Sequence, residues 1–380
     1  KAHPLAAPEG ADRQEWVRDR VAELLDELPN PQEGAVDSRW EWAAPWLLDP
    51  EMRDFLKAWP MDDTAPEYRP NPEYLPGYID DFLNLEVSTL GRRPDNLVDT
   101  VTAVALGSPA VLAARMLDVA GVSPGVRREL AARAAYSFWR LFNRPAVVRL
   151  LRQLYVAGPS DEDAYWHKVL LYCRDGNLQA VLDETWHLLA EQHGWAPGDG
   201  VDDLCRQCVV DVVEMVEPRP SRALARCYRV EGERVESEEL HLRMIFALRL
   251  GHLQSDEGAL NQDMVRKAFN SPFRPFLLCS TSVGQEGLDF HPWCHRIIHW
   301  NLPGNPVDME QREGRVHRYK GHAVRKNVAA RFSSEALSRW HQQENLWETI
   351  FELANRDARD AGRSELVPYW VAPGEARIER

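Results

Sequence analysis

The sequence predicts an α/β protein with a parallel sheet in its second half and a mainly helical region before it. After about Arg222, short apolar runs bounded by polar turns alternate with helical stretches, as in α/β units. The predicted strands are residues 244–248, 276–280 and 296–300. From about Asp95 to Glu217, apolar residues instead recur at three- and four-residue spacing, which predicts helices.

Composition and spacing divide the chain into four predicted segments. These are a Pro- and Trp-rich lead segment with one helix near residues 15–28 (1–95), a helical accessory or insertion domain (96–221), the α/β lobe (222–335) and a helical tail (336–380). In the helical domain, Leu97, Pro109 and Pro124 lie at helix starts, and Asp175-Gly176-Asn177 marks a turn. Further helices are predicted at residues 261–269, 307–318 and 335–354.

The charge balance limits how the chain can contact nucleic acid. With 45 Lys and Arg against 59 Asp and Glu, the net charge is −14, which argues against a surface that is basic throughout. One local run is basic, with a single acid, Glu313, among its cations: Arg312, Arg315, Arg318, Lys320, Arg325, Lys326 and Arg331. Such a run is ordinarily a solvated face, but this one coincides with the most specific motif in the chain.

Cysteine usage and hydropathy predict a cytoplasmic chain without a membrane partner. The six scattered cysteines favour free thiols, and no apolar run is long enough to span a bilayer. The chain begins with Lys1 and has no leader, which fits part of a longer polypeptide. Cys205 and Cys208 form a CxxC without a second pair, so no metal site is predicted. His291, Cys294, His295 and His299 could suggest a metal, but we interpret them as a loop and a buried strand.

The predicted strand at residues 276–280 runs into a loop that carries Ser280, Thr281, Gly284 and Gly287. In open α/β sheets, ligands bind beyond the carboxyl ends of the strands. Hydroxyl groups and closely approached backbone amides would suit a phosphate or a sugar there. Many strand–loop junctions have this composition without a ligand, so the segment is not decisive by itself.

Residues 305–318 carry a more specific arrangement. Asn305 suits a helix N-cap, and Pro306 suits the first helical position. At about 100° per residue, Gln311, Arg315 and Arg318 project from one helix face. Gly314 lies beside that face and, having no side chain, leaves it less bulky. Two like charges on one face favour an anion between them, and planar guanidinium groups match a polyphosphate.

Together the two segments resemble a known family. Residues 280–289 resemble motif V, and residues 311–318 (QREGRVHR) resemble motif VI, of superfamily-two helicases of the Swi/Snf-like branch, which includes bacterial helicase-like proteins of phage defence. The intervening residues 296–303 and Asn305-Pro306 are similar to the strand and turn that join these motifs. The resemblance implies a RecA-like C-terminal helicase lobe with a parallel sheet; motif IV is not recognisable before Met244.

The resemblance also implies roles for individual residues. Arg315 and Arg318 would reach the γ-phosphate of ATP, with Arg318 as the arginine finger. Gln311 and Gly314 would lie near the nucleotide at the lobe interface, and Gly287 and Asp289 would approach its sugar. The implied contacts with the nucleic-acid backbone are Ser280 and Thr281. From the basic run, we expect Arg312, Lys320 and Arg325 to contact nucleic acid as well.

The sequence lacks the parts of such a motor that hold ATP and Mg²⁺. No Gly-Lys dipeptide of a phosphate loop occurs, and the best acidic pair, Asp183-Glu184, lies in a helical pattern. We therefore expect the chain to be inactive alone and to complete a site on a first helicase lobe, in the same polypeptide or in a separate subunit. DNA is favoured over RNA as the nucleic acid, and other proteins of a defence complex are further expected partners.

Two alternatives belong to other functional classes. The chain could be a non-catalytic scaffold with the helicase fold, which the acidic balance and the missing half favour and the paired arginines disfavour. It could instead be a basic RNA-binding module that acts without ATP, in which case its binding would be salt-sensitive.

Overall fold

The computed structural model describes residues 7–8, 11–58, 80–81, 83–118, 121–155, 165–194, 200–217, 221–231, 234–244, 265–273, 276–279, 289–340 and 345–379. The chain forms two compact units. The first comprises Lys1–Leu182, Gly198–Cys205 and Trp340–Gln343, and the second comprises Asp183–Pro197, Arg206–Arg339 and Glu344–Arg380. This division differs from the four segments expected above, whose boundaries stay a prediction.

Helices build the first unit. They are α1 (Arg13–Asp26), α2 (Trp40–Leu47), α3 (Pro50–Ala58), α4 (Leu97–Gly107), α5 (Pro109–Asp118), α6 (Pro124–Phe142), α7 (Pro145–Leu154) and α8 (Tyr165–Asp175), with a 3₁₀ turn at Val87–Thr89. Helices α4, α5 and α6 begin at the predicted residues. Helices α5 and α6 begin with proline, which at the first helical position needs no hydrogen-bond partner. The predicted turn at Asn177 is confirmed by its positive φ of 51°.

The lead segment is more regular than expected. Trp40 and Trp46 lie in the Pro- and Trp-rich lead segment, where the sequence predicted a helix only near residues 15–28. In the structure they belong to α2 and are buried. The Trp40 indole N–H donates to the Gly91 carbonyl at 2.8 Å, and the ring packs in a core with Val17, Val21 and Val101. An aromatic residue that is fully buried within a helix is fixed by packing rather than by propensity, which explains why composition alone misplaced it.

Among the described helices, no single one is long and apolar enough to span a membrane. Only α4 and α5 taken together, with a bend of 49° between them, have the length and composition of a span.

The second unit contains the remaining elements. Helices α9 (Leu178–Gln192) and α10 (Val201–Val216) begin in the first unit, and they are followed by β1 (Ser221–Glu231), β2 (Arg234–Met244), α11 (Pro306–Glu313), α12 (His322–Arg339) and α13 (Leu346–Asp360). Strands β1 and β2 form an antiparallel hairpin with a register from Ser221↔Met244 to Glu231↔Arg234. Residues 265–269 are helical, within the predicted 261–269.

The predicted parallel sheet is not found among the described residues, where the named strands are those of the antiparallel hairpin. Residues 276–279 are irregular, and Phe276 is 83% exposed. At 296–300 only Arg296 makes a strand-like bridge, to Glu379, and Trp300 is 93% exposed. A buried strand needs neighbours that satisfy its backbone and cover its side chains, and these apolar runs have none in the part of the chain described. Residues 245–248 lie outside it.

Two helices replace the single helix predicted at residues 335–354. The side chain of Asn345 accepts from the Trp347 N–H at 3.0 Å and so starts α13 after α12 has ended. The two helices share a core that includes Val328, Ile350 and Phe351.

The segment after α13 is fastened to α12 through Asn327. The Asn327 amide N–H₂ donates to the carbonyls of Ala372 (2.9 Å) and Ala376 (3.0 Å), and its amide oxygen accepts from the Ala376 N–H (2.9 Å). A Cβ on Gly374 would lie 2.2 Å from that oxygen, so the close approach requires glycine. The tail is therefore held against α12 by these hydrogen bonds and by the close approach at Gly374.

Candidate functional site

The arginine-rich segment predicted to bind phosphate begins on α11. Asn305 caps the helix through its side chain, which accepts from the Val307 N–H at 3.0 Å, and Pro306 occupies the first turn, as predicted. The helix ends at Glu313, five residues before the predicted end, and Gly314 is its C-cap, with its N–H bonded to the Glu310 carbonyl at 2.8 Å. Gly314 thus ends the helix instead of thinning one of its faces.

This early ending changes the geometry predicted for Gln311, Arg315 and Arg318. Gln311 is exposed on α11, whereas Arg315 and Arg318 lie in the turn that follows. The three side chains therefore do not share a helix face, which corrects the angular argument made from the sequence. The half-buried Arg315 instead lies beside residues 289–290, because its backbone carbonyl accepts a hydrogen bond from the Phe290 N–H at 3.0 Å.

Asp289 and Arg318 bring the two predicted segments together. The Arg318 Nη2 lies 3.0 Å from Asp289 Oδ1, and the side chains are 44% and 43% exposed. The Arg318 Nε–H also donates to the Gly314 carbonyl at 3.1 Å. An ion pair at this exposure contributes little to stability. The guanidinium can therefore leave its carboxylate for a more highly charged anion at small cost.

Other predicted residues take different positions. The Arg312 Nη1–H donates to the Asn301 carbonyl at 3.2 Å, close to the arginine turn. Ser280, Thr281 and Gly287 lie outside the described residues.

Lys320 and Arg325 are buried, which differs from the prediction that they contact nucleic acid. Arg325 is fully buried, and its guanidinium donates to Glu184 Oε1 (2.7 Å) and to the carbonyls of Lys320 (2.7 Å) and Pro292. Lys320 is 5% exposed, and its ammonium bonds to Glu191 and lies 4.3 Å from the centre of the Phe351 ring. Both cations are held by groups of their own chain and do not face solvent.

One face of α9 supplies the partners of these cations. Glu184, His187 and Glu191 follow one another at three- and four-residue spacing, which places them on one side of the helix. His187 Nε2 lies 3.3 Å from Lys320 Nζ, and its ring stacks near Trp347 and Phe351. A polar stripe on a helix with buried apolar residues was the signal in the sequence for this network, and the pattern analysis did not use it.

The pKa of His187 predicts how the second unit responds to acid. Burial and the neighbouring Lys320 and Arg325 lower this pKa to about 3, whereas an unfolded histidine titrates near 6.5. Between these values the unfolded chain binds a proton that the folded unit does not. The free energy of unfolding should therefore fall as the pH drops through this window, and His187 should contribute roughly 2 kcal/mol of the decrease between pH 7 and pH 5.

Urea unfolding at both pH values measures this contribution. His187→Gln keeps a hydrogen-bond acceptor without titrating, so the loss of stability between pH 7 and pH 5 should be about 2 kcal/mol smaller in the variant. An equal loss in the two proteins would show that His187 does not titrate on unfolding.

The structure places the residues that the sequence analysis considered, and did not favour, as metal ligands. Cys205 and Cys208 are buried on α10, where burial raises the pKa of Cys205 to about 12. Glu184, which belongs to the acidic pair considered for Mg²⁺, lies on α9 and accepts a hydrogen bond from Arg325. No group of three or more His, Cys, Asp or Glu side chains suited to a metal ion occurs in the part of the chain that is described.

Asp289, Arg315 and Arg318 lie within a region of the chain that matches a known protein family. Residues 207–320 match the family model of the helicase conserved C-terminal domain. The match covers 114 of the 380 residues and supports a helicase C-terminal domain in this part of the chain. No curated protein and no solved structure matches the chain.

The matched region begins at Gln207, within α10, and the predicted lobe, whose boundary stays a prediction, begins at residue 222. The matched region ends at Lys320, so it includes Asp289 and the arginine turn but not Arg325. Its last residue is anchored to α9, which precedes the matched region. The position of Arg318 thus depends on residues on both sides of the family match.

Proposed function

We propose that this chain supplies the C-terminal lobe of an ATP-dependent nucleic-acid helicase or translocase. Its helicase C-terminal domain would complete an ATP site on a first RecA-like lobe, in the same polypeptide or in a separate subunit. The observation that carries the proposal is the Arg318–Asp289 pair, a half-exposed guanidinium at the end of the matched region that an exposed carboxylate holds at 3.0 Å.

The arginine turn can act on a phosphate without rearrangement of the buried core. Arg318 would leave Asp289 and donate two N–H groups to phosphate oxygens, which spreads and neutralises the charge that develops during phosphoryl transfer. Asp289 would then be free to accept a hydrogen bond from a hydroxyl of the nucleotide sugar. Arg315 and Gln311 are the neighbouring groups on the same turn and helix end, and they would position the nucleotide between the lobes.

Mg²⁺ would be held by the first lobe, as the resemblance to superfamily-two helicases implies. When bound, it would neutralise phosphate charge. Arg312, close to the arginine turn, is the described residue that we retain as a nucleic-acid contact, together with Ser280 and Thr281 from the sequence. Lys320 and Arg325 are not retained. The Swi/Snf-like branch, duplex DNA as the track and a role in phage defence are proposed from the sequence resemblance alone.

Nucleic-acid-stimulated ATP hydrolysis tests the proposal. The rate should be negligible for this chain alone and should rise when the first lobe is supplied, with duplex DNA, single-stranded DNA and RNA compared as activators. Hydrolysis by the chain alone would contradict a site shared between lobes.

A non-catalytic scaffold is the second candidate, and the lack of any Gly-Lys dipeptide favours it. A stable complex with the first lobe that never hydrolyses ATP would establish the scaffold in place of the motor.

A further inference from the structure

A second basic surface lies in the first unit, outside the helicase C-terminal domain. Residues 130–160 contain five arginines and no Asp or Glu, in a chain whose net charge is −14. Helix α7 lies in this run, and Leu151 is its only residue classed as buried. The exposed side of α7 therefore carries positive charge that no acid in its own sequence neutralises.

Two arginines of α7 face solvent without an acidic partner among the described residues. The Arg149 Nε–H makes a long contact of 3.4 Å with the Pro145 carbonyl, and Arg152 lies 6.0 Å from the centre of the Tyr165 ring. Both side chains are exposed and lie one helical turn apart. Two cations at this spacing match successive phosphates of a flexible anionic backbone better than a single carboxylate.

Helices α6 and α8, which both contact α7, carry exposed aromatic rings. Tyr165, which lies under Arg152, donates its hydroxyl to the Phe142 carbonyl at 2.6 Å, and Phe142 packs edge-on against Tyr172 at 6.1 Å. Trp166 and Tyr172 on α8 are 37% and 40% exposed, and Trp139 at the end of α6 is 47% exposed. Leu150 and Leu154 of α7 are also exposed. These partly exposed rings, on helices that contact α7, are available to stack on the bases of a bound strand.

We propose that this surface, formed by Arg149 and Arg152 of α7 with Trp139, Trp166 and Tyr172, binds single-stranded nucleic acid. Guanidinium groups contact phosphates, and aromatic rings stack on bases, which are accessible only where the strand is unpaired. A duplex offers the same phosphates but hides its bases, and an acidic protein offers charge without flat rings to stack. The combination of cations and aromatic rings therefore selects a single strand over both.

The proposal is independent of ATP hydrolysis, because none of its residues belongs to the arginine turn. Binding to the surface can fail while the composite ATP site is confirmed, and the reverse is equally possible. The nearest acids along the sequence are Glu129 on one side and Asp161, Glu162 and Asp163 on the other. If these acids neutralised the surface, the full chain would show no salt-dependent binding through α7.

Fluorescence anisotropy of a labelled 20-nucleotide oligothymidylate, titrated with the full chain in the absence of ATP, is the test. Arg149→Gln/Arg152→Gln should weaken binding roughly tenfold at low salt and reduce the slope of log K against log salt by about 1.4, because two phosphate contacts are lost. Trp166→Ala should weaken binding roughly tenfold through lost stacking. Circular dichroism should show that the variants remain folded.

The chain offers matched controls for both changes. Arg356 and Arg359 on α13 are exposed at the same three-residue spacing but lie among acids, and Trp370 is 40% exposed like the aromatic rings of the surface. Arg356→Gln/Arg359→Gln and Trp370→Ala should leave the affinity unchanged.

Comparison of ligands identifies what the surface recognises. Oligouridylate should bind within a few-fold of oligothymidylate, duplex DNA should bind more weakly, and a polyglutamate peptide should not compete. Equal binding of duplex and single strand, competition by polyglutamate, or an unaffected salt slope in the double arginine variant would overturn the proposal.

Discussion

Replacing Arg318 with alanine is expected to lower nucleic-acid-stimulated ATP hydrolysis by about a thousandfold or more in the assembled two-lobe motor. The guanidinium is a half-exposed cation near the end of the matched region, and in the proposed motor its removal would leave charge on the transferring phosphate without a partner. Since its ion pair with Asp289 is exposed, stability should change by less than about 1 kcal/mol. Steady-state kinetics and urea unfolding of the same preparations measure both effects.

A suitable control lies on α12. Arg339 and Glu335 are 52% and 47% exposed and form a similar exposed ion pair, within one helix. Arg339→Ala should leave both ATP hydrolysis and assembly with the first lobe unchanged. A loss of assembly in Arg318→Ala, with hydrolysis unaffected in whatever complex remains, would favour the scaffold over the motor.

Replacing Arg325 with alanine is expected to destabilise the second unit by about 3–5 kcal/mol. The guanidinium is fully buried and satisfies the Glu184 carboxylate and the carbonyls of Lys320 and Pro292. Removing it leaves a carboxylate that is only 18% exposed without its cation and two carbonyls without their donor. Urea unfolding of the full chain, followed by the fluorescence of the tryptophans, measures the change.

Two further variants distinguish a lost ion pair from a lost side chain. Arg331→Ala on the same helix removes an exposed arginine paired with Asp357 at 2.7 Å and should cost less than about 1 kcal/mol. The double variant Arg325→Met/Glu184→Met should be more stable than Arg325→Ala, because no buried carboxylate is left unpaired. A double variant less stable than Arg325→Ala would mean that Glu184 stabilises the unit through contacts other than its ion pair with Arg325.

Features that depend on a few adjacent residues could be predicted from the sequence. The Asn305 cap, the proline-led starts of α5 and α6 and the turn at Asn177 are confirmed because a cap, a fixed φ or a left-handed residue acts within one turn of the chain. The end of α11 was misplaced although its signal was also local. Gly314 was interpreted as a thin place in a helix face, whereas in the structure it caps the helix.

Features that depend on distant partners could not be predicted. The apolar runs at residues 276–280 and 296–300 resemble buried strands, but burial requires neighbouring strands that no local pattern reveals. Lys320 and Arg325 looked like surface cations, and their burial depends on Glu191 and Glu184, more than 120 residues earlier in the chain. The sequence therefore singled out Arg315, Arg318 and Asp289, but not the turn that carries the arginines, the Arg318–Asp289 ion pair or the buried network next to it.

The tight attachment of the tail has a practical consequence for labelling. The Lys320 N–H donates to the Tyr369 carbonyl at 2.7 Å, and Asn327 holds Ala372 and Ala376, so the last residues described support the arginine turn from behind. A fluorophore attached or a protease site inserted between Tyr369 and Glu379 would perturb the geometry that a hydrolysis assay is meant to report. Probes belong instead at exposed positions on α1, in the first unit.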